Sequence, residues 1–232
     1  MNCRNHRVAF AARSGMGART SLKAQILGMA SILAVFVAAP EAGAVTVNAT
    51  DDIFAAGLTS ITDPTANGGQ GTLPQFVAVT PGVTFDVTAS GTVVPSTGGL
   101  PTGPDGYVGD PADISDSLST GFGDYNDPNA FALAGVYTDA AGNAIADNQV
   151  FRIGASDRLA APTDAARLYF GFADGFGFNG PSGFYADNSG SLQVSVSAAP
   201  EPSSWSLMIL GFGGMGLAAR RRREMRKALA PA

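Results

Sequence analysis

The chain has 232 residues, 45% of them hydrophobic, and a formal net charge of −5 at neutral pH. Its only cysteine is Cys3 and its only histidine is His6, so the rest of the chain has no thiol nucleophile, imidazole base, disulfide or His/Cys zinc ligands. These absences exclude most hydrolase mechanisms and favour a protein that is not an enzyme.

The first 44 residues have the order of a secretory signal peptide. A basic segment ending at Lys23 is followed by an apolar stretch over residues 26–39 and then by Ala42, Gly43 and Ala44. This order predicts a signal peptide over residues 1–44 and a mature start at Val45. Because the basic segment has no adjacent arginine pair, we expect export by the Sec route rather than the twin-arginine route.

The body of the chain, residues 45–199, is strongly acidic. It contains three arginines against sixteen aspartates, with no lysine or glutamate, and its formal charge is therefore −13. Such a charge repels nucleic acid and anionic membrane surfaces, so neither is expected as a binding partner. Short aspartate side chains in turns are also suitable calcium ligands, although most of them serve turns and solubility.

The same segment is predicted to be all-β and to form a single β-sandwich domain. Alternating apolar residues are typical of half-buried strands, and turn residues bound each run. The regular spacing of these turn signals favours a sandwich. The predicted strands cover residues 76–79, 83–87, 131–137, 150–153, 167–172 and 192–196, with a long loop over residues 95–129.

Three polar residues flank two of the predicted strands. Asp174 follows one strand, and Asp187 and Asn188 precede the last one, so we expect all three at the same rim of the sandwich. Together with one or two loop carbonyls, their oxygens are suited to hold a calcium ion. The same residue types form ordinary turns, and an Asx-rich turn without an ion is the alternative. A pair of aspartates also serves glycoside hydrolysis, but the spacing singles out no pair.

Three phenylalanines lie in the glycine-rich loop between Asp174 and Asp187. Phe176, Phe178 and Phe184 are candidates for an apolar platform that receives the face of a sugar or a partner protein. Packing in the core is the alternative for these loop phenylalanines.

The stretch over residues 167–196 resembles part of a known lectin family, and the likeness extends to earlier segments. The run Asp187-Asn188-Ser189-Gly190, followed by an alternating last strand, resembles the end of the PA-IL-like galactose-binding lectin module. Residues 83–91 resemble the early strand of that family, and residues 103–106 resemble the loop that follows it. The resemblance implies a β-sandwich of the galactose-binding-like, jelly-roll type.

The resemblance also implies a ligand set. Calcium would be bound by the side chains of Asp174, Asp187 and Asn188, by the carbonyl of Phe184, and by a further carbonyl near residues 94–95. In the family, two hydroxyls of the sugar complete the calcium coordination. Here the loop between Asp174 and Asp187 is longer than in the family, and Asp187 replaces an asparagine.

Residues 200–232 have the features of a C-terminal sorting signal, and we call them the sorting tail. Pro200, Glu201 and Pro202 predict an extended, accessible peptide, and Trp205 is typical of a membrane–water interface. Residues 206–219 are uncharged, which is short against the roughly 20 residues of a spanning helix and favours a removable anchor. The uncharged stretch is followed by a cluster that opposes translocation, namely Arg220, Arg221, Arg222 and Arg223.

This order of features resembles the PEP-CTERM sorting signal in its tryptophan-containing variant. The resemblance implies a short transmembrane helix that holds the protein briefly in the inner membrane. It also implies an exosortase-type membrane protease as partner, which would cleave the tail and release the domain to the cell surface or the extracellular matrix.

Three functions agree with these sequence patterns. The first is a non-enzymatic, calcium-dependent carbohydrate-binding or adhesive module of the cell envelope or exopolysaccharide matrix, with extracellular polysaccharide as its partner. The second is a structural matrix protein with no specific ligand. The third, and the least supported, is a glycosidase that uses aspartates.

Overall fold

The computed structural model describes residues 43–145, 149–199 and 202–228. The predicted signal peptide up to residue 42, together with Pro200 and Glu201 of the sorting motif, lies outside the described residues. Within them, the chain forms eleven strands and one α-helix. They are β1 (Gly43–Asn48), β2 (Gln75–Ala78), β3 (Thr84–Val94), β4 (Tyr107–Ser115), β5 (Tyr125–Ala130), β6 (Ala134–Thr138), β7 (Phe151–Arg152), β8 (Ser156–Ala160), β9 (Arg167–Gly171), β10 (Asn179–Pro181), β11 (Ser189–Ala198) and α1 (Pro202–Ala228).

Two four-stranded antiparallel sheets enclose the main core. The first has the strand order β1-β11-β3-β8, and the second has the order β2-β9-β6-β7. Val47, Val87 and Val194 of the first sheet pack in one buried cluster with Leu168 and Phe170 of the second. The predicted single β-sandwich is thereby confirmed.

Strand β11 shows how an alternating sequence builds this core. Leu192, Val194 and Val196 are buried, whereas Gln193 and Ser195 between them are exposed. The strand lies between β1 and β3, so both of its edges are hydrogen-bonded. Burying each aliphatic side chain stabilises the fold by about 1.5–3 kcal/mol, which makes this face a main contributor to the core.

A third sheet covers the outer face of the second. Strands β10, β4 and β5 form it, with β10 parallel to β4. Ile114 and Tyr125 of this sheet pack with Val136 and Tyr169 of the second sheet in a separate buried cluster. The second sheet is therefore covered on both faces, which explains why all five residues of β6 are buried.

The prediction of a long loop over residues 95–129 is wrong, because β4 and most of β5 lie in it. Both strands contain a proline, and most residues of β4 are exposed, so no apolar alternation marks them. The pairing of β4 with β5 shifts register between Val108 and Ala112, and this irregularity accommodates Pro111. Strands β1 and β8 are also elements that the sequence patterns did not predict.

The C-terminal tail forms the helix α1, as expected. Among the described residues, no helix is long and apolar enough to cross a membrane.

Candidate functional site

The candidate site is a cavity of about 300 Å³ at one rim of the sandwich, between the end of β9 and the start of β11. We call it the rim cavity. It brings together two of the three predicted side-chain ligands and all three loop phenylalanines. Its lining consists of Pro95, Ser96, Asp174, Gly175, Phe176, Gly177, Phe178, Phe184 and Asp187.

Asp174 is the most buried charged group of the rim cavity, with 2% of its surface exposed. Its Oδ1 accepts a hydrogen bond of 2.8 Å from the backbone N–H of Gly175, and its Oδ2 accepts one of 2.8 Å from Nδ2 of Asn188. Burial raises the pKa of Asp174 to about 7, and the negative charge of Asp187 adds to the increase, while the two hydrogen bonds oppose it. Asp174 is thus a buried carboxylate next to the exposed carboxylate of Asp187, and a positive charge nearby would favour its ionised form.

Asn188 lies directly behind Asp174 and is also buried. Its Nδ2 donates to the carbonyl of Ala49 at 3.2 Å as well as to Asp174, so both amide hydrogens are used. Its Oδ1 is buried and has no hydrogen-bond partner. A buried acceptor without a partner costs about 1–3 kcal/mol, so this oxygen is a candidate to accept from a bound water or to bind an ion.

The oxygen atoms near the rim cavity fit calcium in type and charge. Asp174 and Asp187 contribute carboxylates, Asn188 an amide oxygen, and Phe184 a backbone carbonyl just before the 3₁₀ turn Tyr185–Asp187. Among the described residues, no three His, Cys, Asp or Glu side chains come together. A cation here therefore depends on amide and carbonyl oxygens in addition to two carboxylates.

The loop after β3 forms part of the same cavity. The resemblance implied a further carbonyl ligand near residues 94–95, and the structure places Pro95 and Ser96 in the lining. They follow the last residue of β3, Val94, which pairs with Ser189 at the start of β11. The long β3–β11 ladder thus positions this loop beside Asp187.

The three loop phenylalanines have different surroundings. Phe176 is 76% exposed and Phe184 is 38% exposed, and their ring centroids lie 5.4 Å apart. Phe178 is instead half-buried and packs against Tyr107 and Phe131, with centroid distances of 5.9 and 6.4 Å. Phe176 and Phe184 therefore form an exposed aromatic pair, whereas Phe178 forms a fixed wall.

Two of these phenylalanines have strained backbones. Phe178 has φ 57° and Phe184 has φ 66°, in the left-handed region that favours glycine. Such a conformation costs about 1–3 kcal/mol for a bulky residue and persists only where surrounding contacts enforce it. Both strained residues line the rim cavity, where strain of this kind commonly accompanies function.

A buried hydrogen-bond network lies below the cavity. The hydroxyl of Tyr185 is 2.9 Å from both Oδ1 of Asp52 and the carbonyl of Phe172, and it accepts a hydrogen bond from the backbone N–H of Asp174. Burial raises the pKa of Asp52 to about 7, and Oδ2 of Asp52 has no partner. This network holds the backbone of Asp174 in place.

The sequence patterns did not predict that network. The available signal was Asp52 itself, a charged residue directly before the apolar run Ile53-Phe54-Ala55. Its Oδ1 accepts from the N–H of Phe54 and caps the 3₁₀ helix Ile53–Ala55. The local cap could have been predicted from the sequence, but the contact with the distant Tyr185 could not.

The fold and the site define an all-β sandwich domain with a cavity at its rim that aspartates and phenylalanines line, followed by a helical tail. Residues 198–223 match the PEP-CTERM protein-sorting motif. The chain therefore carries the sorting signal of an exported protein that an exosortase-type membrane protease processes.

The chain is also similar in structure to the EclA N-terminal domain, a PllA-like lectin. The two share 18% sequence identity with a TM-score of 0.37, and the match covers 67% of this chain and 95% of that one. No curated protein is significantly similar to the chain in sequence.

Proposed function

We propose that residues 45–199 form a non-enzymatic, calcium-dependent carbohydrate-binding module of the cell envelope or exopolysaccharide matrix. One observation carries the proposal: Asp174 and Asp187 line the rim cavity, and the buried Asp174 contacts Asn188, whose buried Oδ1 has no hydrogen-bond partner. Oxygen donors of this kind suit a hard cation. The resemblance of residues 187–196 to the galactose-binding lectin module supports the same function.

Each residue has a defined role in this proposal. Asp174, Asp187, Asn188 and the carbonyl of Phe184 hold the ion, and the network of Tyr185 below them fixes the backbone of Asp174. The bound calcium supplies positive charge and open coordination positions for sugar hydroxyls. Because the ion offsets the repulsion between Asp174 and Asp187, it also lowers the pKa that burial raises.

The exposed aromatic pair gives the rim cavity its second property. Phe176 and Phe184 present apolar surface next to the carboxylates. A sugar ring has an apolar C–H face and a polar edge of hydroxyls, so a cavity with both kinds of surface is complementary to it. This combination supports a carbohydrate rather than a purely polar ligand.

A structural matrix protein without a specific ligand is the second candidate. The observation in its favour is that both oxygens of Asp174 already accept hydrogen bonds within the protein. On this alternative, Asp174 and Asn188 only stabilise the rim, and the aspartates serve turns.

The delivery of the module follows from the two ends of the chain. The predicted signal peptide directs Sec export, the tail retains the protein briefly in the inner membrane, and the protease releases the domain. The matched sorting motif supports the last of these steps.

Calcium titration by calorimetry tests the proposal. The full chain is purified in a detergent without a sugar headgroup, freed of metal with a chelator and titrated with calcium chloride. We expect binding for the unaltered protein and none for Asp187→Ala, which removes the ligand oxygens at an exposed position. Asp164→Ala makes the same change at an exposed loop position outside the cavity and serves as the matched control. Absence of binding heat for the unaltered protein would favour the structural alternative.

A glycan array then tests the sugar specificity. We expect glycan binding in calcium, loss of binding in chelator, and loss with Asp187→Ala but not with Asp164→Ala. Mass spectrometry of the bound glycans after overnight incubation checks for cleavage. Intact glycans agree with a binding module, whereas shortened glycans would indicate a glycosidase.

A further inference from the structure

The rim cavity continues into a second cavity. The second cavity has a volume of about 260 Å³ and is lined by Pro95, Ser96, Leu100, Tyr107, Asp110 and Phe178. Three of these residues, Pro95, Ser96 and Phe178, also line the rim cavity. The two cavities are therefore neighbouring halves of one groove, with Phe178 and the loop after β3 at the boundary.

The wall between the halves is fixed. Phe178 has φ 57°, and its ring is held against Tyr107 on one side and Phe131 on another. A strained residue of this kind keeps its position only because its neighbours enforce it. The side chain is half-buried, so the part that remains accessible presents a preformed apolar surface to both halves.

The floor of the second cavity is also preformed. The hydroxyl of Tyr107 donates to the carbonyl of Leu100, which fixes the ring and closes the loop that begins at Pro95. Gly106 has φ 70°, and a Cβ atom there would lie 2.3 Å from the carbonyl oxygen of Ala130. Glycine therefore allows the start of β4 to approach β5 closely, and this approach positions Tyr107.

The second cavity combines apolar surface with hydrogen-bond acceptors and lacks positive charge. Leu100 is 77% exposed, and Tyr107 adds an aromatic face, while Asp110 and Ser96 supply oxygen atoms. None of the described residues that line either half of the groove is basic. Such a surface suits an uncharged sugar ring and repels the carboxylate of a uronic acid.

We propose, on the basis of the proposed function, that the second cavity binds a second sugar unit, so that the ligand is a neutral oligosaccharide rather than a single sugar. The rim cavity alone lies at the lower limit of the roughly 300–1,000 Å³ typical of ligand sites, and the second cavity extends it. Calcium would neutralise the negative charge of the carboxylates in the rim cavity, but not that of Asp110 in the second cavity. The discrimination against acidic glycans therefore comes from Asp110 in the second half.

Calorimetry on the full chain in calcium tests this inference with four named probes: galactose, the neutral disaccharides lactose and melibiose, and galactosyl-glucuronic acid. We expect at least one neutral disaccharide to bind about fivefold to tenfold more tightly than galactose. The acidic disaccharide should bind no more tightly than galactose. Tyr107→Ala should remove the gain of the disaccharide, whereas Tyr107→Phe, which keeps the ring, should retain most of it.

Substitutions at two exposed residues test the inference with variants that are expected to fold normally. Leu100→Ser should weaken only the disaccharides, and Asp110→Lys should raise the affinity for galactosyl-glucuronic acid, with the affinity for galactose unchanged in both. If galactose binds but the disaccharides bind no more tightly and these variants change nothing, the inference is overturned and the proposed function stands. If the unaltered protein binds none of the sugars in calcium, the proposed function fails and the inference fails with it.

Discussion

The hydroxyl of Tyr185 lies 2.9 Å from Oδ1 of Asp52, across 133 residues of sequence. Both side chains are fully buried, and the same hydroxyl accepts a hydrogen bond from the backbone of Asp174. Burial raises the pKa of Tyr185 well above its ordinary value, so the hydroxyl keeps its proton and remains a donor. This contact ties the segment after β1 to the loop that carries the candidate ligands.

Removing the Tyr185 hydroxyl should destabilise the protein. Tyr185→Phe leaves the backbone N–H of Asp174 without its acceptor in the core, and we expect a loss of about 1–3 kcal/mol in the free energy of unfolding. Urea titration followed by far-ultraviolet circular dichroism measures this loss. Tyr107→Phe, which removes a half-exposed hydroxyl, is the control with a smaller expected loss. Equal stability of the unaltered protein and Tyr185→Phe would contradict the role of the network.

Asp52 should make the stability of the metal-free protein dependent on pH. Burial raises its pKa from 3.8 to about 7, its hydrogen bonds to Phe54 and Tyr185 oppose the increase, and the charges of Asp116 and Asp174 add to it. In the window between these values the folded state binds more protons than the unfolded state, so stability falls as the pH rises. The contribution of Asp52 to the free energy of unfolding is fully present below pH 3.8 and is lost above about pH 7.

The measurement is the urea midpoint from pH 4.5 to 7.5 in the presence of a chelator. One such group changes the unfolding free energy by at most about 1.4 kcal/mol per pH unit. Asp52→Asn should give a shallower decrease than the unaltered protein, and Asp164→Asn should follow the unaltered protein. A slope that Asp52→Asn does not change would show that Asp52 does not titrate in this range.

Calcium should raise the melting temperature if the rim cavity binds it. A ligand at one hundred times its dissociation constant stabilises the folded state by about 2.7 kcal/mol. We expect a shift for the unaltered protein and for Asp164→Ala, and no shift for Asp187→Ala. Magnesium at the same concentration tests whether the shift requires calcium, because magnesium demands a more rigid octahedral set of ligands.

The exposed phenylalanine pair should matter for binding and not for stability. Phe176 is mostly exposed, so Phe176→Ala should change the unfolding free energy by less than about 0.5 kcal/mol. Glycan binding should fall, because the apolar platform loses the more exposed of its two rings. Phe76→Ala, which truncates an exposed phenylalanine outside either half of the groove, should leave glycan binding intact. Unchanged glycan binding by Phe176→Ala would remove the platform from the proposed site.

The sorting tail allows a test in cells. When Pro200, Glu201 and Pro202 are all replaced by alanine, we expect the protein recovered from the cells to retain its arginine cluster. Intact mass spectrometry compares this variant with the unaltered protein, in strains with and without the exosortase-type protease. Retention of the tail by the unaltered protein in both strains would show that the motif is not processed there.

The sequence was informative where neighbouring residues decide the structure. The alternation from Leu192 to Val196 predicted a strand because one face of β11 meets the core. The same logic missed β4, whose side chains are mostly exposed and whose bulge accommodates Pro111. The order of strand, loop and strand predicted that Asp174 and Asn188 meet, and the structure places them 2.8 Å apart. It did not predict that Phe178 turns inward, because that depends on Tyr107 and Phe131 from distant segments.

Composition and local patterns are enough to establish the all-β body, its excess of aspartate and lack of histidine and cysteine, and the sorting tail. These properties depend on composition and on residues a few positions apart, which a single chain displays directly. The burial of Tyr185 against Asp52, the third sheet that covers the second, and the wall at Phe178 that two cavities share became visible only in the folded protein. Burial and cavity shape arise from contacts between distant segments, which no local pattern encodes.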